Sequence, residues 1–211
     1  MIRPTRSLPI FAVALGVTAA MGVPAVAATV SLVQYGFSFS LPPKWTQIPL
    51  DSSDISSLIS AATRGDPALE NVLDQQVVQA SKKGLKVFAV GPISGGFFPS
   101  LNVAVASAAS MPSGPNQYSL MASEVKIILT EAGATQMKVA TAHTHLGEVV
   151  QASYKLEVKS ASHTVPVYEM QSYVVHGPRL YVVTFAATTA AGSATEARVV
   201  EGSWHWQAGQ K

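Results

Sequence analysis

The chain has no cysteine. That excludes disulfides, a thiol nucleophile, a lipid-modified N-terminal cysteine and any cysteine-based zinc or iron–sulfur site. Charge is also scarce: Asp, Glu, Lys and Arg make up 12% of the 211 residues. So few charges, with no clustered Lys and Arg, argue against a disordered tail and against a nucleic-acid surface. Motif chemistry is missing as well. There is no G-x-S-x-G elbow, no H-E-x-x-H pair and no Walker loop, and no Asn-x-Ser/Thr acceptor. Asp51 and Asp54 have the spacing of a carboxylate pair, but at a helix start they serve to complement the helix dipole. No catalytic residue and no cofactor motif is assigned, and the chain is not expected to be an enzyme.

What is present begins with an address. Arg3 and Arg6 precede an apolar stretch over residues 8–23, and Pro24-Ala25-Val26-Ala27 supplies small residues where a signal peptidase reads. The expectation is a signal peptide over 1–27 and one exported domain over 28–211. The competing reading keeps the segment as an anchor, since the run approaches the ~20 residues of a membrane span. Loss of both arginines takes the formal net charge from +2 to near zero, so the basic pI is no sign of an anionic partner. After cleavage no membrane span is expected, and the protein would be secreted, periplasmic or extracellular.

Hydrophobic periodicity then predicts an α+β fold, an antiparallel β-sheet meander flanked by helices. Tyr35, Phe37, Phe39 and Leu41 alternate with small residues, and Pro42-Pro43 stops the strand. Two short helices are expected over 52–64 and 66–83, then strands over 85–90 and 101–107. A helix with Tyr118, Met121, Val125, Ile128 and Leu129 on one face ends at Gly133. The strand over 148–159 sets Val150, Ala152, Tyr154, Leu156 and Val158 against a polar face. The strand over 180–188 is apolar on both faces and should be central. Ser193-Ala194-Thr195-Glu196 matches a capping box opening a last helix.

These elements, with "LPPKW" after the first strand, "YEMQSYVVHGPRLYVVTFAA" in the meander and Ser203-Trp204 at the end, resemble the PsbP-like family and the related LpqN-type bacterial lipoproteins. The likeness runs from about residue 35 to 206. It implies an α/β/α sandwich and little about activity, because the family spans photosystem accessory subunits, a Ran-binding factor and many exported proteins. LpqN-type members carry a lipid-modified cysteine that this chain lacks, which implies a freely secreted form.

Two constellations could carry function. If Leu146-Gly147 is the turn, His145 lies opposite Glu148, and one register of the next hairpin puts His176 across from Glu148 too. His145, Glu148 and His176 would then form a row on adjacent strands ~4.8 Å apart, close enough to hold a metal ion; the alternative is a solvated rim at the turns. Phe97 and Phe98 sit in a Gly/Pro loop, where they either close a core edge or form an exposed patch for a partner. The expected function is a secreted, non-enzymatic binding or accessory protein of the bacterial cell envelope. The alternative is a carrier of a small ligand or metal ion in a pocket between sheet and helices.

Overall fold

The computed structural model describes residues 28–50, 59, 60, 63, 70, 85–92, 98–159 and 164–207. Its elements are β1 (Thr29–Leu32), β2 (Phe37–Ser40), β3 (Thr46–Gln47), β4 (Leu85–Val90), β5 (Ser100–Ser107), α1 (Gln117–Glu131), β6 (Thr135–Thr144), β7 (Gly147–Lys159), β8 (Thr164–His176), β9 (Arg179–Ala187), α2 (Ala190–Gly202) and β10 (His205–Trp206). The expected leader over 1–27 lies outside the described residues, as do most of the helices expected over 52–83. The residues described there, Ile59, Ser60, Thr63 and Glu70, are helical.

Seven strands form one sheet in the order β3-β4-β5-β9-β8-β7-β6, and every pairing in it is antiparallel. β9 has partners on both sides and is buried along nearly its whole length, as its two-faced apolar sequence predicts. Alternation sorts the side chains of this sheet into two cores. Val150, Ala152, Tyr154, Leu156, Tyr173 and Val182 pack with Met121, Val125 and Leu129 of α1. On the opposite face Val149, Val174, Tyr181, Val183 and Phe185 pack with Ala197 and Val200 of α2.

The second layer is shared. β1, β2 and β10 make a separate three-stranded sheet that packs beside α2 on the same face. The expected α+β architecture with helices flanking an antiparallel meander is therefore present. The aromatic strand over 35–41 differs in detail. Tyr35 closes a 3₁₀ turn, Gly36 takes a left-handed φ of 74°, and the strand starts at Phe37. Phe37, Phe39 and Leu41 are all buried. Tyr181 Oη donates to Tyr35 O at 2.7 Å, which ties that turn to the large sheet.

The last helix starts earlier than the capping box suggests. Thr189, in extended conformation, caps it by accepting the Gly192 N–H on its Oγ1 at 3.0 Å. Ser193 is already inside the helix and buried, so the cap is Thr189, two residues past the end of β9.

Trp45 follows the proline pair and is buried, 7% exposed, in the core between the sheets. Its indole lies flat against Gly91. A Cβ on Gly91 would meet Trp45 Cε2 at 2.7 Å, closer than real contacts allow, and an indole within a core cannot swing aside. Gly91→Ala is expected to cost about 1–3 kcal/mol of stability through this overpacking. A chemical-denaturation midpoint equal to the wild type would show that the ring relaxes freely.

Candidate functional site

The histidine row is not assembled. The turn between β6 and β7 is His145-Leu146, flanked by the pair Thr144↔Gly147, so His143 and not His145 faces Glu148. Thr144 Oγ1 accepts the Leu146 N–H at 3.1 Å, and Gly147, at φ 106°, opens β7. His176 lies on the other face of the sheet. Val150 pairs with Tyr173, which places Glu148 on the α1 side, whereas His176 pairs with Arg179 and follows Val174. There its imidazole stacks on Trp206, ring centroids 4.1 Å apart and the two planes nearly parallel. Among the described residues no group of three His, Cys, Asp or Glu side chains could hold a metal ion.

The aromatic loop divides. Phe97 lies outside the described residues. Phe98 is buried, 4% exposed, so it closes a core edge and offers no exposed surface to a partner.

A different constellation stands on the α1 side of the large sheet. Register fixes two rows across it. In one, Asn102 of β5 lies beside Thr184 of β9, which lies beside Gln171 of β8. In the next, Ser100, Ala186, Glu169 and Tyr154 follow one another from β5 to β7. All of these side chains are buried, Glu169 completely. Polar groups in such a position are normally paired, because an unpaired one costs roughly 1–3 kcal/mol.

Part of the set is paired. Tyr154 Oη donates to Glu169 Oε2 at 2.5 Å across the β7–β8 ladder. Tyr173 Oη donates to Gln171 Oε1 on the same strand. Three atoms have no partner: Asn102 Nδ2, Asn102 Oδ1 and Glu169 Oε1. An asparagine with both ends of its amide buried and unpaired contributes nothing to the fold that an apolar residue would not. Between the two groups the floor is small, since Ala186 sits beside Glu169 and Ser100.

Burial dominates the electrostatics of this face. It pushes the Glu169 carboxyl up to about 8, and the Tyr154 hydrogen bond offsets only part of that. Tyr173 is likewise raised by burial and by the nearby Glu169. Tyr154 is raised well above its ordinary value by burial first, then by the nearby Glu169 and Tyr173 and by its hydrogen bond to Glu169.

The opposite face has a buried carboxylate of another kind. Glu201 of α2 is held by Ser172 Oγ–H on Oε1 and by Gln151 Nε2 on Oε2 at 3.4 Å. With both oxygens engaged, it clamps the end of α2 to β7 and β8.

The buried polar set was legible as a signal of one kind. Asn102, Glu169, Gln171 and Thr184 are the polar letters inside strands that otherwise read as covered. Alternation could place each on a face but could not show that they share one.

No family model matches the chain, and no curated protein matches it. Among solved structures, the cyanobacterial PsbP of Synechocystis sp. PCC 6803 is similar at 12% identity and a TM-score of 0.46, covering 91% of this chain and 98% of that one. The Ran-binding protein Mog1p of Saccharomyces cerevisiae is similar at 8% identity and a TM-score of 0.46, over 86% of this chain and 96% of the other. A protein of Bacteroides thetaiotaomicron VPI-5482 is similar at 12% identity and a TM-score of 0.42, over 82% of this chain and 45% of its own.

Proposed function

We propose that this chain is an exported, non-enzymatic binding protein of the bacterial cell envelope that carries a small polar molecule on the α1-side face of its large sheet. The observation that carries this reading is the Asn102 amide, buried with neither its donor nor its acceptor paired. A bound molecule with a matching acceptor and donor would satisfy both atoms at once and recover the desolvation cost. Export rests on the basic, apolar and small-residue pattern over residues 1–27. Phe98 is buried and gives an envelope partner no surface, so the carrier reading moves ahead of the accessory one.

Native mass spectrometry of the purified chain tests this, with Asn102→Leu beside the wild type. The expected result is a small molecule retained by the wild type and lost from the variant. The empty variant should also be more stable than the empty wild type, by about 1–2 kcal/mol, because it no longer buries an unpaired amide. A wild type that retains nothing, together with a variant that is less stable, would show that the amide serves the fold.

A further inference from the structure

Resting on that reading, the chemistry of the ligand can be narrowed. Among the described residues, the α1-side face of the sheet contains no lysine or arginine between β5 and β7. Register puts on it Ser100, Asn102, Thr184, Glu169, Gln171, Tyr173 and Tyr154. Farther along, Glu148 and His143 pair with each other. From α1 the side chains packed in this core are Met121, Val125 and Leu129, with Tyr118 and Ala122 partly buried beside them, and none of these is a cation. Among the described residues an anionic ligand would meet no counter-charge on this face, and it would lie beside a carboxyl group.

A neutral ligand needs only donors and acceptors, and the face already has amides at Asn102 and Gln171 for that purpose. Glutamine at position 169 would serve a neutral ligand equally and would leave no ionisable group buried. A carboxyl with one oxygen held by Tyr154 and the other unpaired is what a buried cation requires of its site. A single opposite charge with its second oxygen oriented by a hydrogen bond meets both the pairing and the geometric conditions for a stable buried ion pair. Strand spacing and rise put Asn102 and Glu169 about 12 Å apart at Cα.

We infer that the molecule carried on this face bears a protonated amine that pairs with Glu169 Oε1 and a second polar group, several bonds away, that meets the Asn102 amide. The proton balance follows from burial, which keeps Glu169 protonated up to about 8 in the empty protein. At pH 7 the carboxyl proton passes to solvent as the ammonium enters, so binding releases protons.

Three probes of one length separate the charges: 5-aminopentan-1-ol, 1,5-pentanediol and 5-hydroxypentanoate. At pH 7 the amino alcohol is expected to raise the Tm of the wild type, the diol to have a smaller effect and the anion none. Calorimetry in buffers of different ionisation enthalpy should show protons leaving on amine binding. Glu169→Gln, nearly the same shape and able to accept from Tyr154, should fold and lose at least tenfold in amine affinity. Equal binding of amine and diol, or undiminished amine affinity in Glu169→Gln, overturns the inference.

The identity of any molecule retained by the wild type is an independent test. A basic nitrogen supports the inference. A retained molecule without one, lost in Asn102→Leu, overturns it and leaves the carrier reading standing. No retained molecule and no Tm shift with any probe overturns both.

Discussion

Replacing Trp204 with alanine is expected to cost about 3–5 kcal/mol of stability, the range for an aromatic removed from a packed core. The indole is 4% exposed and lies over two rings of β2, stacked on Phe37 at 4.5 Å and on Phe39 at 5.0 Å. Tyr181 meets Phe37 edge-on at 5.8 Å, so the stack joins the small sheet to the large one. The backbone next to Trp204 fixes it. Ser203 Oγ accepts the Ser40 N–H at 2.9 Å and lies 3.0 Å from Val200 O, and β10 then pairs with β2 through His205↔Ser38 and Trp206↔Phe37.

An alanine at 204 would leave a cavity where N-terminal strand, C-terminal strand and sheet converge. Trp204→Phe gives the contrast, because the indole Nε1 is buried without a partner. Phenylalanine loses area but no hydrogen bond, so it should cost clearly less than alanine. Trp206→Ala should also cost less, since that ring is only half-buried, although its Nε1 donates to Leu146 O at 3.3 Å. Urea midpoints of the three variants decide the order. An alanine variant within 1 kcal/mol of wild type, on the scale of a surface change, would mean that the stack closes over the gap.

The same residues show how far the sequence could be read. Period-two spacing puts Phe37, Phe39 and Leu41 on one face, and they are on one face. It could not show that this strand leaves the main sheet and pairs with β1 and β10, because alternation fixes which way a side chain points and not which strand lies beside it. The histidine row fails for the same reason. Placing the turn one residue late, at Leu146-Gly147 instead of His145-Leu146, moves His145 into the strand and His143 away from Glu148. The error across the longer connection at 160–163 is a change of parity, which puts His176 on the wrong face. Where a turn is short and marked by glycine and proline, as at Gly177-Pro178, the strands pair directly across it, His176 opposite Arg179.

The buried polar set lies beyond that kind of reading, because its meaning depends on what the groups do not touch. Asn102, Gln171 and Glu169 come from separate stretches of the chain, and only the lateral order β5-β9-β8 brings them together. Their number within two-sided strands is the trace they leave in the sequence.

That set also makes stability depend on pH in a direction opposite to the usual one. A carboxyl raised in the folded state keeps its proton where the unfolded chain has lost it, so the folded protein binds more protons between the two values. Stability then falls as pH rises. Glu169 titrates from its ordinary 4.5 when unfolded to about 8 when folded, chiefly through burial. Glu196, raised by burial to about 7, and Glu201, raised by burial against its two hydrogen bonds, act in the same sense. Glu196 is partly exposed and contributes less than its shift implies.

The expected result is an empty protein most stable near pH 5. From there it should lose up to about 1.4 kcal/mol per pH unit for Glu169 alone, levelling off above pH 8. Glu169→Gln should remove that share and leave a shallower slope from Glu196 and Glu201, so that the variant is more stable than wild type at pH 8 and close to it at pH 5. Denaturant midpoints at four pH values between 5 and 8 measure both slopes. Equal midpoints at pH 5 and pH 8 in the wild type would mean that neither Glu169 nor the two glutamates of α2 are raised in the fold as their burial predicts. Identical slopes in the two proteins would assign the pH dependence to α2 instead, where Ser172 and Gln151 hold Glu201.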